Sequence, residues 1–164
     1  MSYAIVFSSQ TGNTQLLAET IRDALPREDC LYFGRPDPAA LKADLIYAGF
    51  WTDKGGCDGT AADFLKQLEG KQVFLFGTAG FGGAPEYFGQ ILDRAKALLP
   101  ESASVTGSYM CQGKMPMSVR ERYVKMKNSP SPMPKADMLI ENFDKALSHP
   151  DEADLEGLRK ALAR

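Results

Sequence analysis

Histidine is almost missing from this chain. Of its 164 residues only His149 carries an imidazole, and it stands directly before Pro150. A metal centre built on several histidines is thereby excluded, and a serine triad would have to use this one ring. Cysteine is scarce as well. Cys30, Cys57 and Cys111 are odd in number, far apart and without a CxxC pair, which argues for reduced thiols and against a disulfide frame or a zinc site. No apolar run approaches the ~20 residues of a membrane span. The N-terminus enters a strand pattern at once, without the basic start, apolar stretch and cleavage site of a secretory signal, so a cytoplasmic location is expected. Neither a GxxxxGK(S/T) loop nor a GxGxxG fingerprint is present.

What is present fits one globular domain over residues 1–164, with ordinary hydrophobic and charged content. The net charge of −2 is unevenly spread: six cations and the single carboxylate Glu121 fall between Gln112 and Lys135, leaving the remainder acidic. An acidic body does not suit nucleic acid, and no membrane partner is indicated.

Short apolar runs alternate with helical periodicities. Strands are expected at Tyr3 to Phe7, Cys30 to Phe33, Asp44 to Phe50, Val73 to Gly77 and Val105 to Cys111. Helices are expected over Asn13 to Leu25, over a segment N-capped by Thr60 that turns Phe64, Leu65 and Leu68 inward, and from Pro85 towards Pro100. The alternation implies βαβ units and a parallel sheet covered on both faces. Beyond Cys111 it stops. A short helix over Val119 to Lys127, a loop over Ser129 to Pro134 and two closing helices over Ala136 to Leu147 and Asp154 to Ala163 make the segment 112–164 an added helical part.

The junction between the first strand and the first helix reads Ser9-Gln10-Thr11-Gly12-Asn13-Thr14. Such a junction presents free backbone N–H groups and the positive end of a helix dipole. Gly12 permits a close turn, and the side chains add hydroxyls and amides but no cation. A phosphate held there would rest on neutral donors, which a helix N-terminus can supply. The blander reading is a helix cap, although a cap needs one such residue and here six in a row are small or polar.

Placed after strand one, SQTGNT resembles the FMN phosphate loop of the flavodoxin family, with its pattern (T/S)xTGxT, and the element order resembles that family over most of residues 1 to 111. The resemblance implies an α/β, flavodoxin-like three-layer sandwich with a five-stranded parallel sheet of order 2-1-3-4-5. It also implies Ser9, Gln10, Thr11, Asn13 and Thr14 as phosphate contacts with Gly12 at the turn. In that order the chain reverses direction between strands 1 and 3, and a ligand lies there, beyond the carboxyl ends of the strands. Two further loops then join the site. The loop from Trp51 to Gly59 brings Trp51, Thr52, Asp53, Lys54 and Gly55; that from Thr78 to Ala84 brings Thr78, Ala79, Gly80, Phe81 and Gly82. Trp51, the one tryptophan, either meets the flavin ring or caps the core. Phe81 and Tyr87 are candidates for a second aromatic face, while Phe88 reads as packing.

The chain departs from typical flavodoxins in lacking acidic residues and a stacking tyrosine after strand four, where it has GFGGAPEYF. Lys54 near the ring would favour the anionic reduced flavin, or else is a solvated loop residue. The late segment resembles a branch with the pattern CQGKMPxxVRERYxKM, whose members serve larger reductases, including bilirubin-reducing systems of anaerobes. Its cations either dock an acidic redox partner, or bind a small anion through Lys114, Arg120 and Arg122, or are solvated. Cys111 reads as buried, with a reactive thiol as the alternative. The expected function is FMN-based electron transfer between a reductase donor and an acceptor enzyme. The rivals are an NAD(P)H-dependent FMN or quinone reductase and a docking module that keeps the fold without redox work.

Overall fold

The computed structural model describes residues 2–81, 85–130 and 135–163. Its strands are β1 (Tyr3–Phe7), β2 (Cys30–Gly34), β3 (Leu45–Asp53), β4 (Gly56–Cys57), β5 (Gln72–Ala79) and β6 (Ser104–Gln112). Its helices are α1 (Asn13–Ala24), α2 (Gly59–Leu65), α3 (Pro85–Lys96), α4 (Met117–Lys127), α5 (Ala136–Ala146) and α6 (Glu152–Leu162). Five strands run parallel in the order β2-β1-β3-β5-β6, and β4 is a short antiparallel spur on the end of β3. With the spur set aside, this is the expected order 2-1-3-4-5.

Side chains alternate across each strand and so build two cores. Ala4, Val6, Ile46, Ala48, Phe50 and Leu75 face one way, against Phe64 and Leu65 of α2 and Ile91 and Ala95 of α3. Tyr3, Ile5, Phe7, Tyr47, Phe74 and Phe76 face the other, against Leu17, Ala18 and Ile21 of α1 and Leu158 of α6. Large rings fit at the sheet centre because glycines stand beside them. Gly49 pairs with Phe76 and Phe50 with Gly77; a Cβ at Gly49 would lie 2.4 Å from the Phe76 ring, and one at Gly77 would lie 2.5 Å from the Phe50 ring. In chain order α4 and α5 pack on each other, and α6 returns to α1.

Three local expectations are corrected. β3 does not end at Phe50 but runs through Trp51, Thr52 and Asp53, because Thr52 and Asp53 pair with Cys57 and Gly56 across a tight turn at Lys54 (φ 53°) and Gly55 (φ 80°). Positive φ at both central residues is the hairpin geometry that matches strand twist. The cap of α2 is Asp58, not Thr60: its carboxylate accepts from the amides of Ala61 and Trp51, each at 3.1 Å. β5 likewise runs past Gly77 to include Thr78 and Ala79, so these are strand residues rather than loop. The loop expected over Ser129 to Pro134 falls largely outside the described residues.

Candidate functional site

The loop Ser9 to Thr14 leaves β1 at the sheet edge where β3 and β5 also end. Gly12 takes a left-handed conformation (φ 88°), which turns the chain into α1 without a side-chain cap. The Ser9 hydroxyl accepts from the Gly12 amide at 3.1 Å and from the Gln15 amide at 3.4 Å. The first bond inside the helix runs from Leu16 N to Gly12 O. The amides of Asn13 and Thr14 therefore have no intrahelical acceptor and stand at the positive end of the dipole. The Thr14 side chain is wholly buried; its hydroxyl donates to Phe50 O at 3.0 Å and lies 3.4 Å from the Thr78 hydroxyl. It ties the loop to the sheet.

The last third of the chain comes back onto this loop. Asn13 Nδ2 donates to Lys114 O at 2.7 Å, and the Thr11 hydroxyl donates to the same oxygen at 3.3 Å. Asn13 Oδ1, on the other side of that amide, is buried with no partner among the described residues. Lys114 is itself fixed, its amide donating to His149 O. His149 Nδ1 lies 2.6 Å from Asp154 Oδ2, and Asp154 completes a reciprocal cap with Asp151 at the start of α6. The Asp154 amide, donating to the Asp151 carboxylate at 2.9 Å, holds that carboxyl below its ordinary range.

The Thr52 hydroxyl donates to Thr78 O at 2.8 Å and so joins the hairpin to β5. Gly80 O accepts from Gln112 Nε2 at 3.0 Å and from Asn142 Nδ2 at 3.1 Å. The Met115 thioether lies against Gly80, where a Cβ would meet its sulfur at 2.4 Å. Between these parts is a cavity of about 500 Å³. One wall is Gln10, Thr11 and Asn13; the second is Trp51 to Lys54; the third is Thr78 to Gly80; the fourth is Gly113 to Pro116 with Ser118, Val119, Arg122 and Tyr123 of α4. Gly12 lines an adjoining cleft towards His149. Gly55 sits at the hairpin turn, and its carbonyl accepts from Arg94 Nη1. Among the described residues, Phe81 and Tyr87 do not line the cavity. Phe81 is exposed and meets Tyr87 edge-on at 6.4 Å, while Tyr87 packs on the core with Phe88. Gly82 lies outside the described residues.

The fourth wall was not assigned to the site from sequence. Lys114 and Arg122 were read there as cations that bind a small anion, dock a partner or are solvated, and Met115 as an adaptable contact or core filler; Gly113 and Tyr123 gave no signal of their own, because their place depends on α4 folding back over the sheet edge. Cys111 is buried, and burial pushes its thiol far above the ordinary range, so it is no nucleophile.

The donors suit a phosphorylated, hydroxyl-bearing aromatic ligand. Open first-turn amides attract an anion, the unpartnered Asn13 Oδ1 leaves an acceptor for a hydroxyl, N–H or water donor, and Trp51 offers a flat apolar surface. The family model described as a flavodoxin domain matches residues 4–163. The flavodoxin-like domain-containing protein BilS of Clostridium symbiosum (strain WAL-14163) is 39% identical over 180 residues, spanning 99% of this chain and 94% of the relative. Oxidised flavodoxin 2 from Bacillus cereus superposes with a TM-score of 0.61 at 20% identity, covering 99% of this chain and 97% of that one. The apo form of the NADH:FMN oxidoreductase EMOB does so at 0.52 and 18% identity, covering 93% and 98%. Fold order, loop chemistry and sequence similarity agree: the chain belongs to the flavodoxin family.

Proposed function

We propose that the chain binds FMN and carries electrons between a reductase and a partner enzyme. The observation that carries this reading is the convergence of the open α1 N-terminus, the Trp51 hairpin and the Gly80 strand end on one cavity at the reversal of strand order. The loop Ser9 to Thr14 would receive the phosphate on the Asn13 and Thr14 amides, with the Gln10 and Thr11 side chains beside it. Trp51, Lys54 and Gly80 would border the ring. Bound flavin supplies the one- and two-electron chemistry. The protein's part is to hold and shape: Asp58 and Thr52 fix the hairpin, and Gln112 and Asn142 fix the Gly80 carbonyl. No helix among the described residues is long and apolar enough to cross a membrane.

A second reading, a reductase that takes electrons from NAD(P)H directly, has one observation in its favour: α4 and the Lys114 segment wall the cavity and give it room and charge for a small substrate. Anaerobic mixing of the FMN-loaded protein with NADH or NADPH separates the two. A carrier keeps its oxidised flavin spectrum until a reductase is added, and a reductase bleaches unaided. A chain that takes up no FMN at micromolar flavin would refute both.

A further inference from the structure

The cations of α4 fall into two groups. Arg120 Nε pairs with Asp144 Oδ1 of α5 at 2.9 Å, and Lys127 Nζ pairs with Asp137 Oδ1 at 2.8 Å. These two are neutralised where the helices pack. Arg122 is on another face, which with Ser118, Val119 and Tyr123 borders the cavity; the spacing of three and four residues puts these side chains on one stripe. Lys54 and Lys114 border the same space. None of these three cations has a carboxylate within ion-pair distance among the described residues. Asp53 is the one carboxylate residue in the described cavity wall. A chain of formal charge −2 thus turns a cationic surface into this cavity. Like charges gathered in a recess repel, and an anion relieves them.

The phosphate end of the cofactor reading does not need all three. Lys114 stands at that end, its carbonyl bonded by Asn13 and Thr11. Arg122 and Lys54 come from α4 and the β3–β4 turn, elements that carry none of the phosphate loop. We propose that Arg122, assisted by Lys54, binds the anionic group, carboxylate or phosphate, of a small substrate that enters the cavity beside the flavin. The inference rests on the FMN reading above. A guanidinium offers a planar fork that takes either group with two N–H bonds, and Tyr123 and the Met115 thioether provide apolar surface for the body of the molecule. A small ligand is favoured over an acidic protein because Arg122, an exposed side chain, borders the cavity together with Lys54 and Lys114, whereas Arg120 and Lys127 of the same helix are already paired.

FMN-loaded protein, titrated at low ionic strength and followed by the flavin absorbance, tests this. The probes are naphthalene-2-carboxylate, 2-naphthyl phosphate and the neutral naphthalene-2-carboxamide. At least one anion should bind about tenfold more tightly than the amide, as one charge-assisted contact allows; which anion leads tells carboxylate from phosphate. Arg122→Gln should erase that preference while leaving FMN affinity within about twofold, and Arg120→Gln should leave the preference intact. Equal binding of anions and amide overturns the proposal, as does a preference that survives Arg122→Gln. So does an Arg122→Gln variant that loses FMN affinity by the same factor, since Arg122 would then hold the cofactor. A wild-type chain that takes up no FMN overturns the cofactor reading and this subsite with it.

Discussion

Asn13→Ala separates what the protein needs for folding from what its site needs for a ligand. The Asn13 amide uses one end only. Nδ2 donates to Lys114 O at 2.7 Å, and Oδ1 is buried without a partner. Losing a neutral hydrogen bond of this kind costs about 1 kcal/mol, whereas removing a buried unsatisfied acceptor returns roughly 1–3 kcal/mol. The two effects oppose each other, and Lys114 O keeps the Thr11 hydroxyl at 3.3 Å. The flavin-free protein should therefore hold its stability or gain up to about 2 kcal/mol. For a chain of this length that is a rise of no more than ~4–8 °C in melting temperature. Affinity for FMN should move the other way. If Oδ1 accepts from a cofactor hydroxyl, its loss removes about 1–1.5 kcal/mol of binding, close to tenfold in Kd. Thermal unfolding without flavin and quenching of FMN fluorescence on titration give the two numbers. A melting point lower by more than about 6 °C together with an unchanged Kd would refute the reasoning. Asn13 would then be a strut between two segments and not a ligand-facing residue.

Gly113→Ala attacks the same contact from the other side. The new Cβ would sit 2.5 Å from Asn13 Nδ2 and 2.8 Å from its Cγ, so the variant should be destabilised by roughly 1–3 kcal/mol in urea unfolding. Most of that loss should disappear in the Asn13→Ala background, a coupling that additive costs would contradict. Alkaline stability gives a further check. Burial, with Cys30 nearby, raises the Tyr3 phenol to about 12, and burial also lifts Tyr109. A phenol whose folded pKa exceeds its unfolded value near 10 stabilises the fold fully below about pH 10, and that contribution drains as pH climbs through the folded value. The urea midpoint should fall steeply from about pH 10 to about pH 12, and less steeply in Tyr3→Phe; equal slopes would show that Tyr3 ionises freely.

Those elements whose cause is local were legible in the sequence. β1 has the bounds read from its five apolar residues, and Pro85 opens α3 as its fixed φ favours. The phosphate-loop pattern was legible because a strand–turn–helix junction is itself a short-range feature. The β3–β4 hairpin was not, since it places Lys54 at positive φ, where Asn or Gly is the usual signal. Asp58 outcompeted Thr60 as the cap because its carboxylate also takes the Trp51 amide from the neighbouring strand, a bond invisible along the chain. The same applies to the fourth wall of the cavity. Nothing in the composition of residues 113 to 123 says that Met115 rests on Gly80 or that Arg122 borders the cavity while Arg120 pairs with Asp144. Those facts belong to the docking of α4 and α5, which is a long-range event.

The bond from Asn13 to Lys114 spans 101 positions. During synthesis the nascent strand β1 and its loop leave the ribosome early, yet the carbonyl that seats Asn13 emerges only after another hundred residues. At about 5–20 residues per second that delay is roughly 5–20 s. Over this interval the start of α1 exists without the backbone that closes over it. Until then a ligand meets three walls of the cavity and lacks the fourth, Gly113 to Tyr123, so closure over it comes only when the domain is nearly whole.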